Sequence, residues 1–594
     1  MSNRYVAVNW NRQKRVYDTV IGLGAPLLVA LFFMTTLLTH PHVTAETGLI
    51  RGLGLTALVL LHVILCIGPL CRLDPAFLPL LYNRRHLGVT MCMIALAHAA
   101  FATFQYHALG DRNALLSLLV SNAAFGSLAG FPFELLGLAA LLILMLMAAT
   151  SHDFWLSVLS PPVWKTLHML VYLAYALLIG HVALGAMQAE AGVVGPLLLG
   201  AGALVVIGLH LLAGLTERAP DRKRSVAEWV PVCRAEDIPE AGAKLALVGG
   251  ERVAVYRYAG RLSAVSNVCK HQNGPLGEGR IVDGCVTCPW HGYQYRPDSG
   301  TSPPPFDDKV PTYDLRIEGG QVVVQRQANP PGTYVEPVPD RVEAAGLPVN
   351  RDERPFYIGY QDRAPAAVAR HTRRAVTLIG VLAAGTIVSL ALAQEPFADS
   401  RFEYGQPRTI VGRITARPYP RLEVPSPAGV TQYLLAAAGK HGAASLVAPF
   451  DGRVVRLVGS LAQRGTAKLL EVDSIASGAG SAVPAVAQRA LGDFELRGEI
   501  VDSKCWTGVM NPGQGKTHLD CAVRCLSGGL TPLLVIRDST GRESHLILTD
   551  AQGAPLPRSF LPAVGRPVAV QGQVLREGEL LFLRTSPEAI RVLR

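Results

Sequence analysis

Residues 164–181 read WKTLHMLVYLAYALLIGH. After Lys165 the next charged side chain is Glu190, so an uncharged apolar run covers Thr166–Gln188. That is close to the ~20 residues that a ~30 Å hydrocarbon core requires of a helix. Five runs of the same kind surround it: Val20–Thr39, Gly52–Cys71, Leu87–Leu109, Leu135–Ser151 and Ala191–Thr216. A further run, Ala375–Ala393, is fenced by Arg370, Arg373 and Arg374 before it and Glu395 after. Asn113–Phe131 is uncharged too, but its Ser, Asn and Gly residues mark an interfacial or re-entrant segment.

The whole chain agrees with a membrane protein. Of 594 residues 50% are hydrophobic and only 17% charged, with mean hydropathy +0.29; a soluble chain carries about 25% charged residues. Ten Cys in this length exclude a disulfide-dense secreted scaffold. The net charge of +10 is gathered beside the apolar runs, which implies topogenic loops and lipid contact, not a nucleic-acid surface. Arg4, Arg12, Lys14 and Arg15 precede the first run, Arg72, Arg84 and Arg85 lie between the second and third, and Arg218, Arg222, Lys223 and Arg224 follow the sixth. The alternate loops hold little more than Arg51 and Arg112. The positive-inside bias therefore puts 1–19 and 217–372 in the cytoplasm and 395–594 outside an inner, cytoplasmic membrane. Leu390–Gln394 (LALAQ) resembles a signal-peptidase site but reads as the end of an internal anchor.

Ionisable groups inside a bilayer are costly and point to function. His62, His98, His168 and His181 lie within the runs, and His86 at the start of one. Imidazole is a haem-iron ligand. His168 and His181 are about 20 Å apart along a helix and cannot share one iron. The third and fifth runs travel the same way, which places His98 and His181 at similar depth with one haem b between them. A second haem falls to His168, partnered by His86 or His62. Helix–helix hydrogen bonds are the alternative use of these histidines.

Arg84–His98 (RRHLGVTMCMIALAH) and Trp164–His181 resemble the ferric-reductase-like transmembrane family over roughly residues 45–215. Within it they are most similar to the membrane haem b subunits that serve periplasmic methionine sulfoxide reductases. The resemblance implies that His98, His168 and His181 are haem ligands; His62 and His86 have no counterpart in it. Such reductases usually continue into flavin and nicotinamide domains, but no strand–GxGxxG–helix turn follows the sixth run.

Something else must deliver electrons. Residues 225–326 alternate as short strands (Arg252–Tyr258, Arg261–Val265, Leu315–Ile317, Gln321–Gln325) between Gly, Pro and Asn turns. Among them stand Cys269-Lys270-His271 and Cys288-Pro289-Trp290-His291. Two thiolates on one iron and two imidazoles on the other hold a Rieske [2Fe–2S] cluster. Zinc also accepts Cys and His, but with wider Cys–Cys and His–His spacings. The flanks CKHQNGPLGEG and CPWHGYQYRPDSG resemble the Rieske ferredoxins of aromatic-ring dioxygenases. Gly274 and Trp290 stand where quinol-oxidising Rieske proteins carry a disulfide, and Cys233 and Cys285 read as small buried residues. A Rieske oxygenase needs a second iron on two His and a carboxylate; downstream only His371, His441, His518 and His545 occur, scattered.

Residues 327–372, rich in Pro, Arg and Asp, read as a linker. Beyond the 375–393 helix, Gly452-Arg453-x-Val455…Gly459…Gly465 recurs 113 residues later as Gly565-Arg566-x-Val568…Gly572…Gly578. Upstream, Gly412-Arg413-Ile414 pairs with Gly498-Glu499-Ile500, only 86 residues later. The second copy thus contains an insertion, which carries Cys505, His518, Cys521 and Cys525, a metal site or a disulfide plus one thiol. Residues 504–516 (KCWTGVMNPGQGK) lack P-loop spacing.

The expected architecture is multi-domain: an α-helical bundle of six transmembrane helices (20–216), a small all-β Rieske domain (225–326), a seventh transmembrane helix (375–393), and two OB-like β-barrel repeats (395–594). The expected function is electron transfer between a cytoplasmic cluster and one or two b-type haems. Expected partners are a cytoplasmic donor or the quinone pool and an extracytoplasmic redox protein. A terminal reductase of metal ions or dioxygen, and a haem-free cluster-bearing assembly protein, are the alternatives.

Overall fold

The computed structural model describes residues 12–151, 155, 159, 161–189, 192–218, 227–271, 274–290, 292–304, 306–340, 366–427, 429–479, 483–484 and 486–593. Every apolar run becomes helix: α1 (Arg12–Thr39), α2 (Ala45–Leu73), α3 (Arg84–His107), α4 (Phe133–Ala149), α5 (Pro161–Met169), α6 (Val171–Leu184), α7 (Val194–Arg218) and α8 (Ala366–Leu392). Among the described residues, six apolar stretches, one of them spanning α5 and α6 from Val163 to Ala189, are long enough to cross a membrane; α4 is shorter at 17 residues. The protein is a multi-pass membrane protein. Leu23, Leu27, Leu38 and Leu204 point outward, exposed, which suits hydrocarbon and not water. Inward, Leu61 and Leu65 of α2, Met91 and Cys92 of α3, Ala140 and Leu144 of α4 and Ala174 and Tyr175 of α6 form the bundle core. Between α3 and α4 the chain makes only a seven-residue helix, Ala114–Val120, capped by the Asn113 side chain, and does not cross.

The β domain is built from three small sheets. The first runs in the order β1 (Trp229–Arg234), β10 (Gln321–Gln325), β9 (Leu315–Glu318). The second has β11 (Val338–Pro339), β4 (Arg261–Ser266), β3 (Glu251–Tyr258) and β2 (Ala243–Val248), with β8 (Thr312–Tyr313) also on β4. The third is β5 (Arg280–Val282), β6 (Cys285–Thr287), β7 (Gln294–Tyr295). The stretch expected to open the linker differs: residues 327–340 pack on this domain. Arg257 is wholly buried and needs a counter-charge, which Asp340 supplies at 2.8 Å. The rest of the expected linker, 341–365, lies outside the described residues.

Beyond α8, β12 (Ser400–Phe402) edges a closed barrel of β13 (Arg408–Thr415), β14 (Arg421–Ser426), β15 (Gly429–Ala436), β16 (Val454–Arg464) and β17 (Ala467–Ser477). Its order is 13-14-15-17-16 and back to 13, with β15 and β17 parallel. The second barrel repeats this with β18 (Gln488–Asp502), β19 (Pro532–Arg537), β20 (Glu543–Thr549), β21 (Pro567–Glu577) and β22 (Leu580–Arg584), β20 and β22 being parallel; β23 (Ile590–Val592) edges it. This shared circuit is the OB-type barrel expected from the repeat. Gly412 and Gly498 are equivalent: a Cβ on either would lie 2.5 or 2.1 Å from a carbonyl oxygen of the next strand, so only glycine allows the closure. The insertion joins β18 to β19 and carries α9 (Leu519–Ser527).

The two β modules sit on opposite ends of the bundle. Trp290 of the β domain packs against an apolar cluster formed by Ile67, Cys71, Leu80, Leu81 and Leu87, where α2 ends and α3 begins. At the other end Lys440 Nζ donates to the carbonyls of Gln105 and Ala108, 2.9 and 2.8 Å away, at the C-terminus of α3. Asn511 Nδ2 donates to the His42 carbonyl at 2.8 Å. Gln394, at the close of α8, is buried and binds Thr36 and Arg51 of α1 and α2.

Candidate redox and metal centres

Of the cysteines in the β domain, Cys269 and Cys288 lie in loops at strand ends. Cys269 follows β4, where its N–H donates to the Gly274 carbonyl at 2.9 Å. Cys288 lies between β6 and β7, its N–H donating to the Tyr293 carbonyl at 2.8 Å. Both are 1% exposed. A Cβ on Gly274 would stand 2.6 Å from Cys288 Sγ, so the first turn passes against the sulfur of the second. His271 stacks on Tyr293, planes 6° apart and centres 5.3 Å apart. Tyr295, which carried no signal in the sequence beyond its place in the motif, lays its hydroxyl 3.5 Å from Cys269 Sγ and accepts the Lys270 N–H at 2.9 Å. His291 lies outside the described residues. Two buried sulfurs, a cradle with no room for a Cβ, and hydroxyl and N–H groups around them fit a [2Fe–2S] cluster. Cys233 and Cys285 are buried, and burial pushes both thiols up, that of Cys233 to about 11.

In the bundle, His98 and His181 meet with ring centres 6.4 Å apart and planes at 83°. His98 Nδ1–H donates to the Ile50 carbonyl and His181 Nδ1–H to the Phe133 carbonyl, both at 2.9 Å. A carbonyl only accepts, so the proton is on Nδ1 and each Nε2 presents a lone pair. Two metal–nitrogen bonds of about 2 Å each, plus the distance from nitrogen to ring centre on either side, total about 6 Å. The pair would therefore hold one haem iron through their Nε2 atoms. Gly54 and Gly137 make room: a Cβ there would lie 2.9 and 2.8 Å from the respective Nδ1. The two arrangements are copies, since Ile50, Gly54 and His98 each recur 83 residues on as Phe133, Gly137 and His181. That offset was present in the sequence as a Gly–His spacing, although nothing marked the glycines as neighbours of the rings.

The other histidines have different surroundings. His62 donates through Nδ1 to Leu58 and accepts the Tyr175 hydroxyl at Nε2, 3.0 Å away. His86 lies beside Asp18 at 2.9 Å, 45% exposed. His168 donates to the Trp164 carbonyl, stacks on that indole at 3.8 Å, and turns Nε2 toward Ser151 at 3.5 Å. The Ser151 hydroxyl already donates to Met147. His168 thus keeps a lone pair near the Trp290 end of the bundle, and His62 does not.

At the far end, the insertion gathers its four residues. Cys505 opens a helical turn after β18, anchored by its N–H on Asp502 Oδ1 at 2.8 Å. Cys521 and Cys525, four apart, share a face of α9. The three sulfurs lie within 4.8 Å of one another, all buried. His518 sits between Asp502, 3.0 Å from Nε2, and Met510 Sδ, 3.1 Å from Nδ1, and His518, Asp502 and Cys505 also fall within 4.8 Å. Burial lowers the His518 pKa, but the Cys521 sulfur and Asp502 carboxylate outweigh it and hold the imidazole above its ordinary value. Burial raises Asp520, beside His107 of α3 at 3.9 Å, to about 7.

Comparison with known proteins finds two families in this chain. Residues 228–314 match the Rieske [2Fe-2S] domain and residues 53–179 the ferric reductase like transmembrane component. The chain is 30% identical over 127 residues to the ferredoxin component of the alkene monooxygenase system of Xanthobacter autotrophicus, covering 21% of this chain and 97% of that protein. It is 35% identical over 103 residues to the anthranilate 1,2-dioxygenase ferredoxin subunit of Burkholderia cepacia, covering 17% and 94%. A solved ferredoxin of carbazole 1,9a-dioxygenase from Nocardioides aromaticivorans is similar at 23% identity, over 17% of this chain and 100% of that one, with a TM-score of 0.16.

Proposed function

Because the chain belongs to the Rieske [2Fe-2S] proteins through one domain and to the ferric-reductase-like transmembrane proteins through another, it is a membrane electron-transfer protein, and we propose that it carries electrons from a cytoplasmic Rieske cluster through b-type haem to an extracytoplasmic redox partner. The observation that carries this reading is the seat of Trp290. Standing between Cys288 and His291, it packs on the end of the helix that holds His98. Leu87 of that cluster is about 16 Å along α3 from His98. Bound here, a [2Fe–2S] cluster and a b-type haem each accept and release one electron. The chain's own residues do the rest. Cys269, Cys288, His271 and His291 hold the cluster, and the buried tyrosines keep water from it. His98 and His181 hold the haem, their rings aimed by the Ile50 and Phe133 carbonyls. His168, nearer the cluster, holds a second haem. Arginines around the Trp290 end, Arg72, Arg84 and Arg85, support a cytoplasmic face there. The donor at that face is a soluble reductase or the quinone pool.

An optical and electron-paramagnetic redox titration of the purified protein tests the reading. Expected are a b-type haem band and a Rieske signal in one chain, with haem reduced after the cluster when a low-potential donor is supplied. His98→Ala should lose one haem per chain by pyridine haemochrome and leave the Rieske signal. A colourless chain, or the full wild-type haem content in both His98→Ala and His181→Ala, overturns it.

A further inference from the structure

The cysteines of the insertion serve none of the roles above. Three sulfurs in one buried cluster are the donor set of a soft cation: thiolates select Cu⁺, Zn²⁺ and iron–sulfur centres over hard ions. We propose that Cys505, Cys521 and Cys525 bind one thiophilic d¹⁰ cation, Zn²⁺ or Cu⁺, on the barrel end of α3. Cys505 Sγ and Cys521 Sγ are 4.0 Å apart. That is close to the spacing of two sulfurs sharing a metal at about 2.3 Å each. All three sulfurs are mutually within 4.8 Å, so none is left over, as one would be beside a disulfide. Their exposures, 6%, 1% and 1%, leave no route for exchange with a partner thiol. His518 falls within 4.8 Å of Cys505 together with Asp502, and its two ring nitrogens are on Asp502 and Met510, so the three sulfurs are the donor set.

The place of the site gives it a purpose. Cys505 belongs to the turn after β18, while Cys521 and Cys525 belong to α9, whose Asp520 meets His107 and whose Cys521 Sγ is 4.0 Å from the Gln105 carbonyl oxygen. One ion therefore ties the insertion together where it rests on the bundle. Gln105 is about 10 Å along α3 from His98. Zn²⁺ there is a fixed clamp; Cu⁺ extends the electron path beyond the haem.

The test is metal analysis of the full-length protein made in medium replete in zinc and copper. About one zinc or copper ion per chain is expected, with X-ray absorption at that edge showing sulfur neighbours at about 2.3 Å. Cys521→Ser/Cys525→Ser should lose that ion while keeping the Rieske signal and the haem band, which show that the rest is folded. Should the variant fail to fold, chelation of the wild type followed by re-addition of one metal gives the same readout. Zinc identifies the clamp and copper the extended path. A chain free of both metals, with two of the three thiols protected from alkylation until reduced or all three freely alkylated after denaturation, overturns the proposal. So does iron in their place. The haem assignment is read from a separate band, so either can fail without the other.

Discussion

The imidazoles of His98 and His181 stand 6.4 Å apart, and each is turned toward the other by a carbonyl on the helix beside it. The rings fit only because Gly54 and Gly137 offer no Cβ. Gly54→Ala and Gly137→Ala should each cost about 1–3 kcal/mol through overpacking and push one ring off axis. The expected outcome is less haem per chain by pyridine haemochrome, with the Rieske signal unchanged. His62→Ala serves as the contrast: its Nε2 is occupied by Tyr175, so haem content should stay at the wild-type value.

Trp290 joins the cluster loop to the bundle. Trp290→Ala removes an aromatic contact worth about 1.5–3 kcal/mol and should loosen the docked position of the β domain. The Rieske signal should persist while rapid mixing with a reductant shows slower haem reduction. Equal rates in variant and wild type would mean that electrons do not cross at this contact.

The Tyr295 hydroxyl faces Cys269 Sγ, and a cluster-bound sulfur has no proton, so the hydroxyl donates. Such a bond favours the reduced, more negative cluster. Tyr295→Phe should lower the cluster potential by roughly 20–60 mV, the equivalent of one hydrogen bond of about 0.5–1.5 kcal/mol. Protein-film voltammetry measures it directly.

His545 touches Trp506 of the insertion, ring centres 5.0 Å apart. Burial, aided by the Arg464 guanidinium, lowers its pKa to about 4, while Glu543 opposes. The ordinary value in the unfolded chain is about 6.5. Below that pH the unfolded state takes up a proton that the folded state refuses. The contribution of His545 to the stability of the barrel module should therefore be fully present above pH 6.5 and fall by roughly 3 kcal/mol as the pH falls toward 4. Hydrogen exchange across β20 reads this loss, and His545→Phe should flatten the pH dependence.

The amino-acid sequence alone determined what depends on short-range order. Run length decides which segments cross a bilayer, two-residue and three-residue spacings decide the Cys and His pairs of the β domain, and an offset of 113 against 86 residues exposes both the barrel repeat and its insertion. Tertiary structure decided who stands beside whom. Ile50 and Phe133 act through backbone carbonyls, which every residue possesses, so their identity carries no signal. His62 and His98 look alike in sequence, and only the Tyr175 hydroxyl on one and an open lone pair on the other separate them. Asp340 lies 83 residues from Arg257, in a stretch whose composition reads as linker, and only the fold shows that a buried guanidinium holds it there. Ligand type is written in covalent spacing. Ligand partnership is settled by packing between helices and strands far apart in the chain, where a single Cβ or hydroxyl changes what an imidazole or a thiol can bind.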